Sequence, residues 1–240
     1  MMTKRDILNK AIYICYPLDY DRYVNYNVEG KTIHRLPLPP KGMMYDRWPK
    51  NENHFINPYH RKYSLPLLEK LLKFGYKEDD FFLQERYSGG FDISMLHPKK
   101  KFSFDVYGYN RGEYKENITF DELIQGKEGE LTEYHLLYRY PHECSRIINK
   151  DVDSNRILLV SGDSQMIPDI SVLACYFKEV WYFDNRANVK AEDILKEGEF
   201  TDVLIELNCS DVKQYTETNI SNKENLMTNR KTIQKFRYYY

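Results

Sequence analysis

Apolar and polar positions divide the chain into regions with different rhythms. Ala11 to Tyr16 is a short run of β-branched and aromatic residues closed by Pro17, the pattern of a buried strand. Asn27 to Met44 is rich in proline, glycine and lysine and predicts a loop. Ser64, Leu65-Pro66 and the apolar stripe that follows up to Gly75 predict a helix, with Ser64 as N-cap, proline in the first turn and a terminal glycine. Between Lys77 and Tyr140 the rhythm is less regular. It predicts a strand over Phe102 to Tyr107, a short helix over Phe120 to Ile124 and a strand over Tyr134 to Tyr140. From Arg156 onward apolar strands and helices alternate: Ile157 to Val160, Ile167 to Phe177, Val180 to Phe183, Ala191 to Gly198, Asp202 to Leu207. Beyond Asn208 the chain is polar, with a helix predicted over Asn222 to Thr232 and a basic aromatic end from Lys235 to Tyr240.

Strand and helix in alternation imply parallel strands joined by helical crossovers, hence an α/β fold. The 240 residues suit one domain, 1–240, within which approximately 77–140 reads as an insertion or cap. The mean hydropathy of -0.69 reflects polar surface rather than disorder, because apolar content is 42%. The 22 tyrosines either line a sugar-binding cleft or sit at boundaries, with the ring buried and the hydroxyl wet.

With a formal net charge of -1, no global basic field exists to hold a phosphate backbone, so nucleic acid is excluded as a general partner. Cys15, Cys144, Cys175 and Cys209 form no CxxC pair and have no histidine at zinc spacing. They are expected to be reduced and mostly buried, and no metal or other cofactor is expected. The polar start, Met1 to Lys10, and the brief apolar run after it do not make a signal peptide, and no stretch approaches a membrane span. A cytoplasmic chain is the default expectation, or an extracytoplasmic one if a leader was removed.

The strongest local chemical signal is Ile157 to Gln165, where an apolar strand runs into Ser161-Gly162-Asp163-Ser164 and a helix follows. A serine at a strand's carboxyl end stands exposed, near backbone N–H groups able to stabilise an oxyanion. The same pattern also describes a plain strand-to-helix turn in which Ser164 caps the helix. A serine nucleophile needs a base. All six histidines (His34, His54, His60, His97, His135, His142) precede Ser164, so a base must come from upstream. His60 and His142 have no chemical companion and read as surface or helix-start residues. The run from His97 to Lys101 reads as a solvated turn able to attract an acidic polymer.

Trp48 to Tyr59, followed by the helix after Ser64, resembles the TD-x-HW segment of the SGNH-like polysaccharide O-acetylation proteins, the AlgJ, AlgX and DHHW type. In that family the acid and histidine also precede the GDS serine. Gly162 to Arg186 resembles the family's stretch from the nucleophile to a strand ending in Asp-x-Arg, and Thr201 to Leu207 resembles its next strand. The likeness covers roughly residues 45–75 and 155–208. Two positions depart from it: the acid is Glu52 rather than aspartate, and Phe55 replaces tryptophan.

The resemblance implies an SGNH-like three-layer α/β sandwich, with a mostly parallel central sheet and helices on both faces. It further implies a serine acyltransferase or esterase acting on O-acetyl groups of a carbohydrate. Ser164 would hold the acyl group, His54 would take its proton and Glu52 would orient the imidazole. Gly90 and Asn208 are candidate oxyanion donors, each with a plainer role as turn or strand terminator. Asp163 either serves the site or shapes its own turn, and Arg186 either reaches an anionic sugar or pairs with Asp184. Two other classes stay open. One is a non-catalytic carbohydrate-binding or assembly protein that retains the fold. The other is a phosphate-binding α/β protein, although the turn lacks a glycine-rich cradle and a Walker lysine.

Overall fold

The structure, a computed structural model, describes residues 4–16, 26–28, 31–37, 57–88, 91–108, 113–124, 144–184 and 199–208. Its strands are β1 (Ile12–Tyr16), β2 (Tyr26–Val28), β3 (Lys31–Arg35), β4 (Phe81–Ser88), β5 (Phe91–Pro98), β6 (Ser103–Gly108), β7 (Glu113–Thr119), β8 (Cys144–Asn149), β9 (Ile157–Gly162), β10 (Glu179–Asp184) and β11 (Asp202–Asn208). The helices are α1 (Lys4–Lys10), α2 (Asn57–Tyr59), α3 (Leu65–Leu72), α4 (Phe120–Leu123) and α5 (Ile167–Leu173). Among the described residues, nine strands form one sheet in the order β2-β3-β1-β11-β9-β10-β8-β6-β7, and β4 and β5 form a separate hairpin. The five strands from β3 to β10 run parallel, and antiparallel strands extend the sheet at either side.

The strands expected around Ala11, Phe102, Arg156, Val180 and Asp202 are all present, and so is the short helix at Phe120. That helix carries a capping box in which Thr119 and Glu122 satisfy each other's backbone N–H groups. The strand expected over Tyr134 to Tyr140 and the helices over Ala191 to Gly198 and Asn222 to Thr232 lie outside the described residues. The loop expected over Asn27 to Met44 is corrected in part, because β2 and β3 occupy Tyr26–Val28 and Lys31–Arg35. Gly30 reads as a break, whereas the chain on either side of it pairs antiparallel; Ile33 is buried between exposed Thr32 and half-buried His34.

Two faces of the sheet are buried. Parallel pairing places Ile14, Leu158, Val160, Val180, Tyr182 and Leu204 on one face, in a single cluster with Leu65, Leu68 and Leu72 of α3 and Ile170 and Leu173 of α5. Tyr13, Leu159, Trp181, Val203 and Ile205 alternate to the other face and are buried as well. There Trp181 meets Phe200 edge-on at 5.5 Å, and α1 lies against β11 with Ile7 wholly buried.

Ser64 is not the cap that its sequence context predicts. Helical backbone begins earlier, at Asn57, and passes through a π-helical turn over His60–Ser64 before α3. Ser64 itself is helical, and its hydroxyl bonds Tyr16 and Asp169 instead of a backbone N–H. At the other end, Lys73 (φ 51°) and Gly75 (φ 92°) turn the chain, and Glu69 Oε2 accepts the N–H groups of Phe74, Gly75 and Tyr76. No helix among the described residues is long and apolar enough to cross a membrane.

Candidate functional site

Strand β9 is central among the parallel strands, between β11 and β10, and is buried from Leu158 through Gly162. Its carboxyl end enters a 3-10 turn, Ser164–Met166, and then α5. In open parallel sheets the crevice beyond the strands' carboxyl ends is where ligands bind. The backbone of Ser164 occupies that position.

The residue before it is held on several sides. Asp163 is 4% exposed, and its N–H donates to Glu206 Oε2 at 2.8 Å. Its Oδ1 accepts the Gln165 N–H at 2.8 Å, and its carbonyl oxygen accepts the Met166 N–H and the Tyr182 hydroxyl, both at 3.1 Å. One oxygen of the Asp163 carboxylate thus bonds within its own turn. The cap of α5 is Met166 rather than Ser164, since the 3-10 turn intervenes.

Gly162 is required by space. A Cβ there would lie 2.8 Å from Met166 Cγ and 3.2 Å from both Cβ and Oε2 of Glu206. The glycine thus lets β11 and the turn close on each other.

A second polar group is buried a turn further along α5. Asp169 is wholly buried, and its Oδ1 is 3.1 Å from His60 Nδ1 while its Oδ2 accepts the hydroxyls of Tyr16 and Ser64. Those hydroxyls are also 2.8 Å from each other. Burial, reinforced by the Asp169 charge, holds the Tyr16 phenol well above its usual pKa, so it stays a donor. His60 opens the π-helical turn, as a helix-start residue would, but it is 0% exposed and bonded to Asp169, which corrects its reading as an isolated surface residue. The cluster ties β1, the His60–Ser64 turn and α5 together beneath the sheet's carboxyl edge.

Asn208 closes β11 opposite Tyr16 of β1. Ile205 pairs with Ser161, and Asn208 and Ser164 lie equally far beyond that pair, so their backbones reach the same edge. Glu52, His54, Gly90 and Arg186 lie outside the described residues.

Three buried groups here escaped the sequence reading: Glu206, Asp169 and His60. Two had a usable signal. Glu206 interrupts the apolar strand Val203 to Leu207, and Asp169 interrupts the apolar run from Ile167 to Phe177. A carboxylate inside such a run must be paired or hydrogen-bonded.

The architecture is an SGNH-like α/β fold, with the GDS turn at the end of a central parallel strand. Among solved structures, the chain is similar to PatB1 of Bacillus cereus, with a TM-score of 0.58 and 15% identity over 83% of this chain and 82% of that one. PatB1 with a sulfonyl adduct aligns with a TM-score of 0.53 and 17% identity over 71% of this chain, which spans less than two thirds (61%) of that structure. A DHHW family protein from Eubacterium siraeum gives a TM-score of 0.58 at 11% identity, over 90% of this chain and 81% of that one. At these identities the shared property is the fold. No family model and no curated protein matches the sequence.

Proposed function

We propose that the protein is a serine-dependent acyltransferase or esterase that acts on O-acetyl groups of a carbohydrate through an acyl-serine. The observation that carries the reading is the Gly162-Asp163-Ser164 turn at the carboxyl end of β9, in a fold similar to those of PatB1 and a DHHW family protein. The sulfonyl adduct of PatB1 lends support, because sulfonyl groups become attached to activated nucleophiles.

In this reading Ser164 Oγ attacks the acetyl carbonyl and its proton passes to His54, with Glu52 orienting the imidazole. The Ser164 N–H and the Asn208 side chain or Gly90 N–H meet the oxyanion. Collapse of the tetrahedral intermediate expels the alkoxide of the acetyl donor, which takes the proton back from His54. Attack by a sugar hydroxyl on the acyl-serine gives transfer, and attack by water gives hydrolysis. Arg186 is available to an anionic sugar.

Incubation with p-nitrophenyl acetate tests this reading. Wild type is expected to release p-nitrophenol and to carry an acetyl group on Ser164, with both lost in His54→Ala. Glu52→Asp, which restores the family's acid, is expected to keep or raise the rate. Absence of release and of acetylation from folded wild type would move the assignment to the non-catalytic carbohydrate-binding reading, which the replacements at Glu52 and Phe55 favour.

A further inference from the structure

Glu206 stands in a part of β11, Val203 to Glu206, that is buried throughout, and the residue itself is 0% exposed. A carboxylate in that position is costly unless it is bonded. Its Oε2 accepts the Asp163 N–H at 2.8 Å, in the backbone of the turn that presents Ser164. The same oxygen is 3.2 Å from the point where a Cβ on Gly162 would lie, so the absence of a side chain there is what allows the carboxylate to reach its donor. On the far side of Asp163, the carbonyl is fixed by the Tyr182 hydroxyl of β10 at 3.1 Å. Asp163 is thus gripped from both strands that flank β9.

We propose that Glu206 is a positioning residue for the Ser164 nucleophile. Its carboxylate clamps the peptide between Gly162 and Asp163, and so fixes where the next residue stands at the strand end. The proposal rests on the acyl-serine reading above. It assigns Glu206 no contact with substrate. What matters is an acceptor at Oε2, so glutamine is expected to substitute and an apolar side chain of similar size is not.

The test uses the full chain, labelled with 15N, as wild type, Glu206→Gln and Glu206→Met. Two quantities are followed: the rate of Ser164 labelling by a fluorophosphonate and the hydrogen-exchange rate of the Asp163 amide. Glu206→Gln is expected to stay close to wild type in both. Glu206→Met is expected to label at least about tenfold more slowly, the scale of loss for a misplaced reacting group. Its Asp163 amide should exchange faster, while the β9 amides of Leu159 and Val160 keep their protection. Gly162→Ala displaces the carboxylate without changing it and should shift both quantities in the same direction; it serves if Glu206→Met does not fold. A wild type that labels, together with a Glu206→Met that labels equally fast, overturns this proposal alone, as does a Glu206→Gln as slow as Glu206→Met. A wild type that does not label overturns the acyl-serine reading and this proposal with it.

Discussion

The two ends of the central sheet treat charge in opposite ways. At the amino end, Arg156 forms a fork to Asp202 at 2.6 and 3.0 Å, donates to the carbonyls of Leu72 and Lys73, and lies 4.8 Å from the centre of the Phe177 ring. Arg146 forks to Glu179 at 2.8 and 2.9 Å and lies over Trp181. Both arginines remain about a third exposed. At the carboxyl end, Asp163, Asp169 and Glu206 are buried and are met by backbone N–H groups, hydroxyls and an imidazole. The amino end joins elements at the rim, where water screens the charges. The carboxyl end sets the geometry of a turn with dry, directional hydrogen bonds, which suits a place where chemistry needs fixed positions.

Removal of one buried carboxylate should therefore cost more than removal of one rim ion pair. Asp169→Ala removes the carboxylate that the Tyr16 and Ser64 hydroxyls and the His60 ring share, and is expected to lose about 3–5 kcal/mol in urea unfolding. A loss below about 1 kcal/mol would erase the contrast between the two ends.

Arg156→Ala comes next. It removes a fork, two carbonyl bonds and a ring contact, and should cost about 1.5–3 kcal/mol, part of which disappears in high salt.

The smallest effect is expected for Arg146→Ala, about 1 kcal/mol at neutral pH. It depends on pH with a definite sign. Burial alone would raise the Glu179 pKa, but the bonds from Arg146 and Trp181 outweigh it and hold the carboxyl below the ordinary value. A carboxyl depressed in the folded state adds stability above its unfolded pKa and loses it as pH falls through the folded value. The difference between wild type and Arg146→Ala should thus be full near neutrality and shrink below about pH 4. A difference that grows on acidification would contradict the assignment.

The amino-acid pattern carried four of the five parallel strands at the centre of the sheet and only part of the site. Strands β1, β9, β10 and β11 were legible because buried parallel strands are continuous apolar runs, and Ile157 to Val160 or Asp202 to Leu207 have no competing helical period. The strands β2 and β3 were not, because β2 is a three-residue edge strand, β3 beside it is mostly polar, and Gly30 separates them in the sequence. The GDS turn was legible from the small residues that follow an apolar strand. The supports under it were obscured for another reason: Asp169 and His60 lie 109 positions apart in the chain, and Asp163 and Glu206 lie 43 apart. Pairing at such separations is a product of strand order, which single-residue context does not contain.

The central claim is that the turn after β9 presents an activated serine, and covalent labelling with a fluorophosphonate tests it most directly. Intact mass and peptide mapping of wild type, Ser164→Ala and His54→Ala would be compared under native conditions. One adduct on wild type that maps to Ser164 and is lost in both variants is the expected result. Unlabelled folded wild type, or an adduct that persists in Ser164→Ala, would contradict it.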